Sequence, residues 1–314
     1  MPANAARVAD PARAHRPDQR ALGIACIVAS ALAFGAMAIL ARIAYADGVD
    51  TPTLLALRFA IAAVCLVAIA RARNVTLPRG RDLAAVAALG GAGYGSQAAT
   101  FFVALTLAPA GLVALLLYLH PALVALLAAL FLREPMTAVK LAALGVALAG
   151  MTLTVAPALA GTGMQAFPRL PAGIALGLAA AAIYSVYIVV GTRLAERVEP
   201  LALSTVVVAS AAVVFVVVAV VNGPVFPRGM AGWAAVTGIA LVSTVAAITL
   251  FFAGLARIGP TQASTLSTIE PVFTVALAAA LLGERIGAVQ AAGGALILAA
   301  VVILARASRD PARA

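Results

Sequence analysis

The sequence predicts an all-α integral membrane protein of ten transmembrane helices, built as two inverted five-helix repeats. Three observations lead there. The composition is too apolar for a water-soluble surface, the apolar residues fall into ten runs of spanning length, and the second half of the chain repeats the first at an offset of 150 residues. Of 314 residues, 64% are hydrophobic and 10% charged, with a mean hydropathy of +1.11. A soluble domain carries about 25% charged residues because water must wet its surface. Here lipid must cover it.

The repeat is legible without gaps. Residues 101–150 laid on 251–300 give 15 identities in 50 pairs, placing Phe101-Phe102 on Phe251-Phe252, Pro121 on Pro271 and Glu134 on Glu284. The same offset sets His120 on Glu270, Gly23-Ile24-Ala25 on Gly173-Ile174-Ala175, and Phe34 on Tyr184. Five spans per unit is an odd number, so the second unit must lie upside down relative to the first. That plan recurs in secondary transporters.

The predicted spans are 22–44, 53–70, 83–105, 110–131, 137–156, 172–193, 201–221, 232–254, 261–282 and 287–305. Each is close to the ~20 residues that cross a ~30 Å hydrocarbon core. Turn chemistry separates them: Asp47-Gly48 with Thr51-Pro52, Pro78-Arg79-Gly80, Ala108-Pro109, Glu134-Pro135, Gly161–Gly163 with Pro168 and Pro171, Asn222-Gly223-Pro224, and Gly259-Pro260. The domain reading is a disordered cytoplasmic tail (1–21), a first repeat (22–156), an inter-repeat loop (157–171), a second repeat (172–305) and a short cytoplasmic tail (306–314). The first apolar run is longer than the apolar core of a cleaved leader and lacks a small-residue cleavage site, so it reads as a retained helix.

Net charge is +10, yet the basic residues lie in short loops without a basic face or stacking aromatics, which argues against nucleic acid. They fit a topology signal. With the N-terminus cytoplasmic, 16 Lys and Arg fall on the inner side and 4 on the outer, with Arg58 inside a span. That bias predicts a multi-pass protein with both termini cytoplasmic. Cys26 and Cys65 sit singly in apolar runs, suggesting neither disulfide nor metal, and no cofactor motif is present.

Three ionisable side chains fall within spans: Arg58, His120 and Glu270. Each costs at least ~2.5 kcal/mol at mid-membrane if charged and unpaired, so such groups face a cavity or a partner. His120 and Glu270 share one repeat position, just before Pro121 and Pro271. Those prolines free a carbonyl one turn earlier and bend their helices. The expectation is that Glu270 and His120 line a permeation path, with Glu270 a proton carrier; the structural alternative is a polar bridge across two kinks. Arg58 either pairs structurally or meets an anionic solute group. Tyr94 and Gln97 (beside Ser96), Tyr118, Tyr184, Tyr187, Thr244 (beside Ser243) and Ser267 (near Ser264 and Thr268) are further lining candidates, although Ser and Thr more often bond their own helix. Trp233 reads as an interface anchor. Glu134 and Glu284 read as tethers for neighbouring helix ends.

Leu281-Leu282-Gly283-Glu284-Arg285, Glu270-Pro271-Val272-Phe273, Arg58 after Thr51-Pro52, and the duplicated five-span unit together resemble the EamA-type branch of the drug/metabolite transporter superfamily. The resemblance implies a ten-helix inverted-repeat carrier of the inner membrane, often an exporter of amino acids, other metabolites or drug-like solutes. It also implies a central cavity bordered mainly by helices other than the fifth and tenth. Arg133, where the second repeat has Gly283, departs from the pattern at a helix end.

The expected partners are a small-molecule solute, the lipid bilayer and protons as coupling ion, with the oligomeric state open. Import by the same fold and intramembrane enzymology are the alternatives. A Gly-x-Ser-x-Gly nucleophile turn is absent, as are a His-x-x-x-His metal pair and a nucleotide-binding Gly-Lys-Ser/Thr loop. Two unlike halves also supply no selectivity ring for a channel. A carrier, not an enzyme, is expected.

Overall fold

Helix ends fall largely where the turn chemistry places them. The computed structural model describes residues 17–131, 137–160, 167–195, 197–267 and 269–307, and all regular structure among them is helical. In the first half these are α1 (Pro17–Ala46), α2 (Thr51–Ala72), α3 (Gly80–Ala88), the π-helical turn π1 (Leu89–Tyr94), α4 (Gly95–Leu107), α5 (Ala110–Leu117), α6 (His120–Phe131) and α7 (Ala138–Ala160). The second half holds α8 (Leu170–Ala195), α9 (Pro200–Asn222), α10 (Met230–Ala240), π2 (Leu241–Ala246), α11 (Ala247–Ser267), α12 (Ile269–Leu282) and α13 (Ala288–Ala307). The predicted tail up to residue 16, part of the inter-repeat loop (161–166) and the end from 308 lie outside the described residues.

The caps are local and specific. Asp50 accepts the Thr53 N–H at 3.1 Å, with Pro52 in the first turn of α2, where its missing N–H costs nothing. Gly223 (φ 79°) and Gly283 (φ 66°) end α9 and α12 in the left-handed region that glycine alone adopts freely.

Seven stretches among the described residues are long and apolar enough to cross a membrane: Gln19–Ala46, Thr51–Ala72, Ala110–Leu127, Ala138–Pro157, Leu170–Ala195, Pro200–Asn222 and Met230–Phe251. Ile269–Leu282 and Ala288–Leu304 are shorter apolar helices. The predicted third span is instead a composite of α3, π1 and α4. The predicted break at Gly259-Pro260 lies within helical backbone, for α11 runs on to Ser267. Irregular backbone in hydrocarbon would leave several polar groups unpaired, whereas one proline forfeits a single bond.

Packing repeats at the same offset as the sequence. α1 lies along α10, π2, α11 and α12, while α8 lies along π1, α4, α5 and α6. A Cβ on Gly23 would meet Arg257, and one on Gly173 would meet Leu107, the same pair 150 residues apart in each member. α2 pairs with its counterpart α9, and α7 with α13. Both pairs run antiparallel. Thr53 meets Val225 while Phe59 stacks on Phe215, and Gly150 meets Gly293 and Ile297 while Gly293 meets Thr154. A Cβ on Gly150 would stand 2.7 Å from the Gly293 carbonyl, so this crossing admits nothing larger than glycine.

Most of the buried core lies toward the α1–α2 turn, where Ile39, Leu54, Phe59, Phe102, Leu105, Leu112 and Leu116 are at most 2% exposed. Arg42 donates to the Leu105 carbonyl at 2.8 Å and Tyr45 to the Phe102 carbonyl at 3.0 Å. Glu284 accepts the Ala110 and Gly111 N–H groups at 2.7 and 3.0 Å. The first two close the first repeat at that end, and the Glu284 contacts tie the second repeat to it there.

Candidate functional site

A cavity of about 650 Å³ lies between the two repeats, lined from α1, α4–α6, α8, α11 and α12. Tyr94, Gln97, Tyr118, His120, Pro121, Tyr184, Ser267 and Glu270, all picked from sequence, line it together. Lys140, Val301 and Leu304 extend the wall toward the arginine-rich end, away from the shut one. These three belong to α7 and α13, so the fifth and tenth predicted helices contribute a minor part of the wall.

The prolines build the site, though not by kinking continuous helices. The chain breaks after Leu117, and Pro121 falls in the first turn of α6; Pro271 likewise falls in the first turn of α12. Each leaves the carbonyl four residues earlier without its helical donor. His120 Nδ1 meets the Leu117 carbonyl at 3.0 Å, and the Tyr118 hydroxyl donates to the Ser267 carbonyl at 3.1 Å. A carbonyl can only accept, so Nδ1 carries a proton in this contact.

The helix facing each break is matched to it. The Ser185 hydroxyl shares its hydrogen between the Ala181 carbonyl of its own helix at 2.7 Å and the His120 carbonyl at 3.2 Å. At the equivalent position Gly35 leaves room for the Glu270 carbonyl, which a Cβ would meet at 2.9 Å, and Thr274 donates to the Gly35 carbonyl at 2.9 Å. Both breaks are thereby clamped by the first helix of a repeat.

Glu270 is the one acid among the lining residues. The Tyr118 hydroxyl lies 2.9 Å from its Oε2. An aromatic wall continues from there: Tyr118 to His120 at 5.7 Å, His120 to Tyr184 at 4.8 Å, Tyr184 stacked on Tyr187 at 5.9 Å, and Tyr187 to Tyr94 at 5.5 Å. A carboxylate beside aromatic faces suits a positively charged group, since both attract cations.

Arg58, Tyr187 and Thr244 were expected to join the lining and instead stand behind it, as does Pro271, expected as a kink. Arg58 is 2% exposed, donates from Nε to Thr244 and from Nη2 to Tyr94, both at 3.1 Å, and lies over the rings of Phe59 and Phe102. Its charge is held by hydroxyls and π-faces, so a solute reaches it only through Tyr94. Thr244 passes its own hydrogen to the Ile239 carbonyl at 2.9 Å, and Pro271 is buried in the first turn of α12.

Other candidates resolve plainly. Ser96 bonds back to the Ala92 and Gly93 carbonyls and is no ligand group. Ser243 is buried without a hydrogen-bond partner. Trp233 stacks on Phe226 near a helix start, and Glu284 caps α5. Glu134 and Thr268 lie outside the described residues, as does the Ser264 side chain. No cluster of three or more metal-ligating side chains occurs among the described residues.

Sequence reasoning missed Phe34, Met37, Leu117, Phe251, Val301 and Lys140 as lining residues. Lys140 fell among the inner-side charges, and the apolar ones give no signal in an apolar chain. For Phe34 one existed: it is the repeat counterpart of Tyr184, and both face the cavity.

With this geometry, comparison with known proteins is decisive at one point. The profile of the EamA-like transporter family matches residues 21–156 and, separately, 171–306. The chain belongs to the EamA-like transporter family. This EamA-like protein is 24% identical over 206 residues to the uncharacterized transporter sll1319 of Synechocystis sp., covering 65% of this chain and 61% of that one. It is 30% identical over 144 residues to the uncharacterized transporter YcbK of Bacillus subtilis, covering 43% and 46%. The matches thus span about half to three-fifths of those relatives' length. A solved crystal structure at 24% identity shares the fold, with a TM-score of 0.64 over 92% of this chain and 98% of that one. The EamA-like chain is accordingly a multi-pass membrane protein with two repeats of that family.

Proposed function

We propose that the chain is a secondary exporter of small solutes carrying a positively charged group, working by alternating access in the inner membrane with both termini cytoplasmic. One observation carries the reading. Glu270, paired with Tyr118, is the lone acid among the lining residues of a tyrosine-walled cavity between two repeats, shut at one end and reaching toward the other. Antiparallel pairing of α2 with α9 and of α7 with α13 supports a ten-helix inverted repeat, in which a rocking motion exchanges the open and shut ends. The open end is the arginine-rich one, which the positive-inside rule assigns to the cytoplasm, so the cavity loads from within.

Protons fit as the coupling ion by a count of donors. The single hydrogen of Tyr118 has two acceptors, Glu270 Oε2 at 2.9 Å and the Ser267 carbonyl at 3.1 Å. A protonated Glu270 donates to the phenol oxygen and frees that hydrogen for Ser267, satisfying every group. A cationic solute and a proton then compete for one carboxylate.

Metabolite efflux is to be compared between cells with and without the chain, and with Glu270→Gln. Efflux of at least one amine-bearing solute should rise with the wild type and fall to background with Glu270→Gln at equal membrane abundance. Undiminished efflux by that variant overturns the role of Glu270, and no chain-dependent efflux overturns export itself.

A further inference from the structure

A second cavity, about 520 Å³, lies along a different stripe of α8 from the one that faces the solute cavity. Val186, Val190 and Leu194 recur at helical spacing to form its floor, with Val189 beside them. Ala85 of α3 and Leu127 of α6 wall it, and Arg193 stands at one end. Val186 and Val190 are 52% and 44% exposed, so the groove opens outward, onto the face that hydrocarbon covers in a membrane-spanning bundle.

The repeat-related seam differs. There the counterparts on α1 are Ala36, Ile39, Leu40 and Ala44, and α1 packs along α10 and α12. Ile39, Ala44 and Ala235 are at most 2% exposed, with Leu40 against Gly238. That seam is shut. The counterpart of Arg193 is Ile43, so only the open seam carries a charge.

We propose that the α3–α6–α8 groove holds one acyl chain of an anionic phospholipid, with the lipid phosphate on Arg193. Apart from Arg193 the lining is wholly apolar and offers water no partners, whereas hydrocarbon fits it. Arginine presents a planar fork of donors that matches phosphate geometry. Arg79, Arg81 and Arg197 lie at the same end of α3 and α8, and over residues 79–82 and 193–199 four arginines, Arg193 included, stand against three acids, Asp82, Glu196 and Glu199. A chain lodged in the groove also keeps α8 from closing on α3 and α6 as α1 closes on α10 and α12. The lipid therefore belongs to this conformation, with the solute cavity open at the arginine-rich end.

Native mass spectrometry of the full chain, released from detergent containing phosphatidylglycerol or phosphatidylcholine, tests this. The wild type should retain phosphatidylglycerol over phosphatidylcholine by about five-fold, the factor one basic residue is worth at a lipid surface. Arg193→Gln should erase that preference while phosphatidylcholine retention persists. Val190→Trp fills the groove and should remove both lipids, and Val213→Trp on the exposed face of α9 should remove neither, controlling for added bulk. Monodisperse elution and helical circular dichroism report folding, and Arg193→Gln decides the matter alone should Val190→Trp not fold. Equal retention of the two lipids by the wild type, or a preference surviving Arg193→Gln, overturns the proposal. So does a dimer dispersed by Val190→Trp in place of bound lipid, which would assign the groove to a second copy.

Discussion

Tyr94 and Thr244 stand at the same position of the two repeats, each in a π-helical turn, and both accept from the Arg58 guanidinium at 3.1 Å. The repeat counterpart of Arg58 is Val208, so one arginine from one half holds both π-turns. π-turns interrupt the regular ladder and recur at functional sites. Here they bring equivalent side chains to one cation beneath the cavity.

Arg58→Met is therefore expected to loosen the join between the halves. Two charge-assisted hydrogen bonds are lost, each worth about 1.5–3 kcal/mol, offset partly by the gain of an apolar side chain in an apolar place. Thermal melting of purified protein should fall by several degrees, and Arg58→Lys, which keeps the charge without the fork, should lie between. An unchanged melting temperature in both variants would refute the bridging role.

His120 has a separable structural duty, supplying the donor that Pro121 took from the Leu117 carbonyl. His120→Asn keeps a short donor and should retain most of the stability. His120→Phe leaves a buried carbonyl unpaired and should cost about 1–3 kcal/mol. Chemical denaturation of the two variants side by side distinguishes this from a pure lining role, in which Phe would be the better tolerated.

Glu284 caps α5 across the seam between repeats. Glu284→Ala should cost about 1 kcal/mol, the usual value of a helix N-cap, and Glu284→Gln less, since its amide oxygen still accepts one N–H. Hydrogen exchange at Ala110 and Gly111 should rise in step. Exchange that stays at the wild-type rate in Glu284→Ala would show that the cap holds nothing.

The α7–α13 crossing makes the sharpest steric claim. Gly150→Leu puts four carbons where even a Cβ would stand 2.7 Å from the Gly293 carbonyl. Overpacking of this kind costs about 1–3 kcal/mol, and the variant should accumulate poorly in membranes, while Gly145→Leu, with open space around its Cβ, should not. Equal accumulation of the two would sink the close-packing assignment.

Much of this was legible in the sequence for one physical reason. In an apolar chain, Glu270, His120 and Arg58 are conspicuous because lipid penalises them, and the repeat offset pairs positions that meet equivalent partners. What stayed hidden lacks such contrast. Phe34, Phe251 and Val301 line the cavity with the same letters that face lipid. The π-turns arise in Leu89–Tyr94 and Leu241–Ala246, where hydrophobic periodicity carries no mark of one extra residue per turn. Gly259-Pro260 signals a break in any sequence, yet α11 continues through it. Arg42, one of the four outer-side charges in the sequence count, donates in the structure to a carbonyl of α4, as does Tyr45.

The carbonyl freed by Pro271 in the second repeat is answered by Tyr118 of the first. A hydrogen bond tolerates only a few tenths of an ångström of stretch, so any rotation parting the end of α5 from the end of α11 must leave Ser267 and Tyr118 bereft of each other. Whatever fills the hollow at that instant, water or cargo, meets a Tyr118 hydroxyl with one acceptor fewer, which ties the energetics of the swing to the chemistry of the passenger.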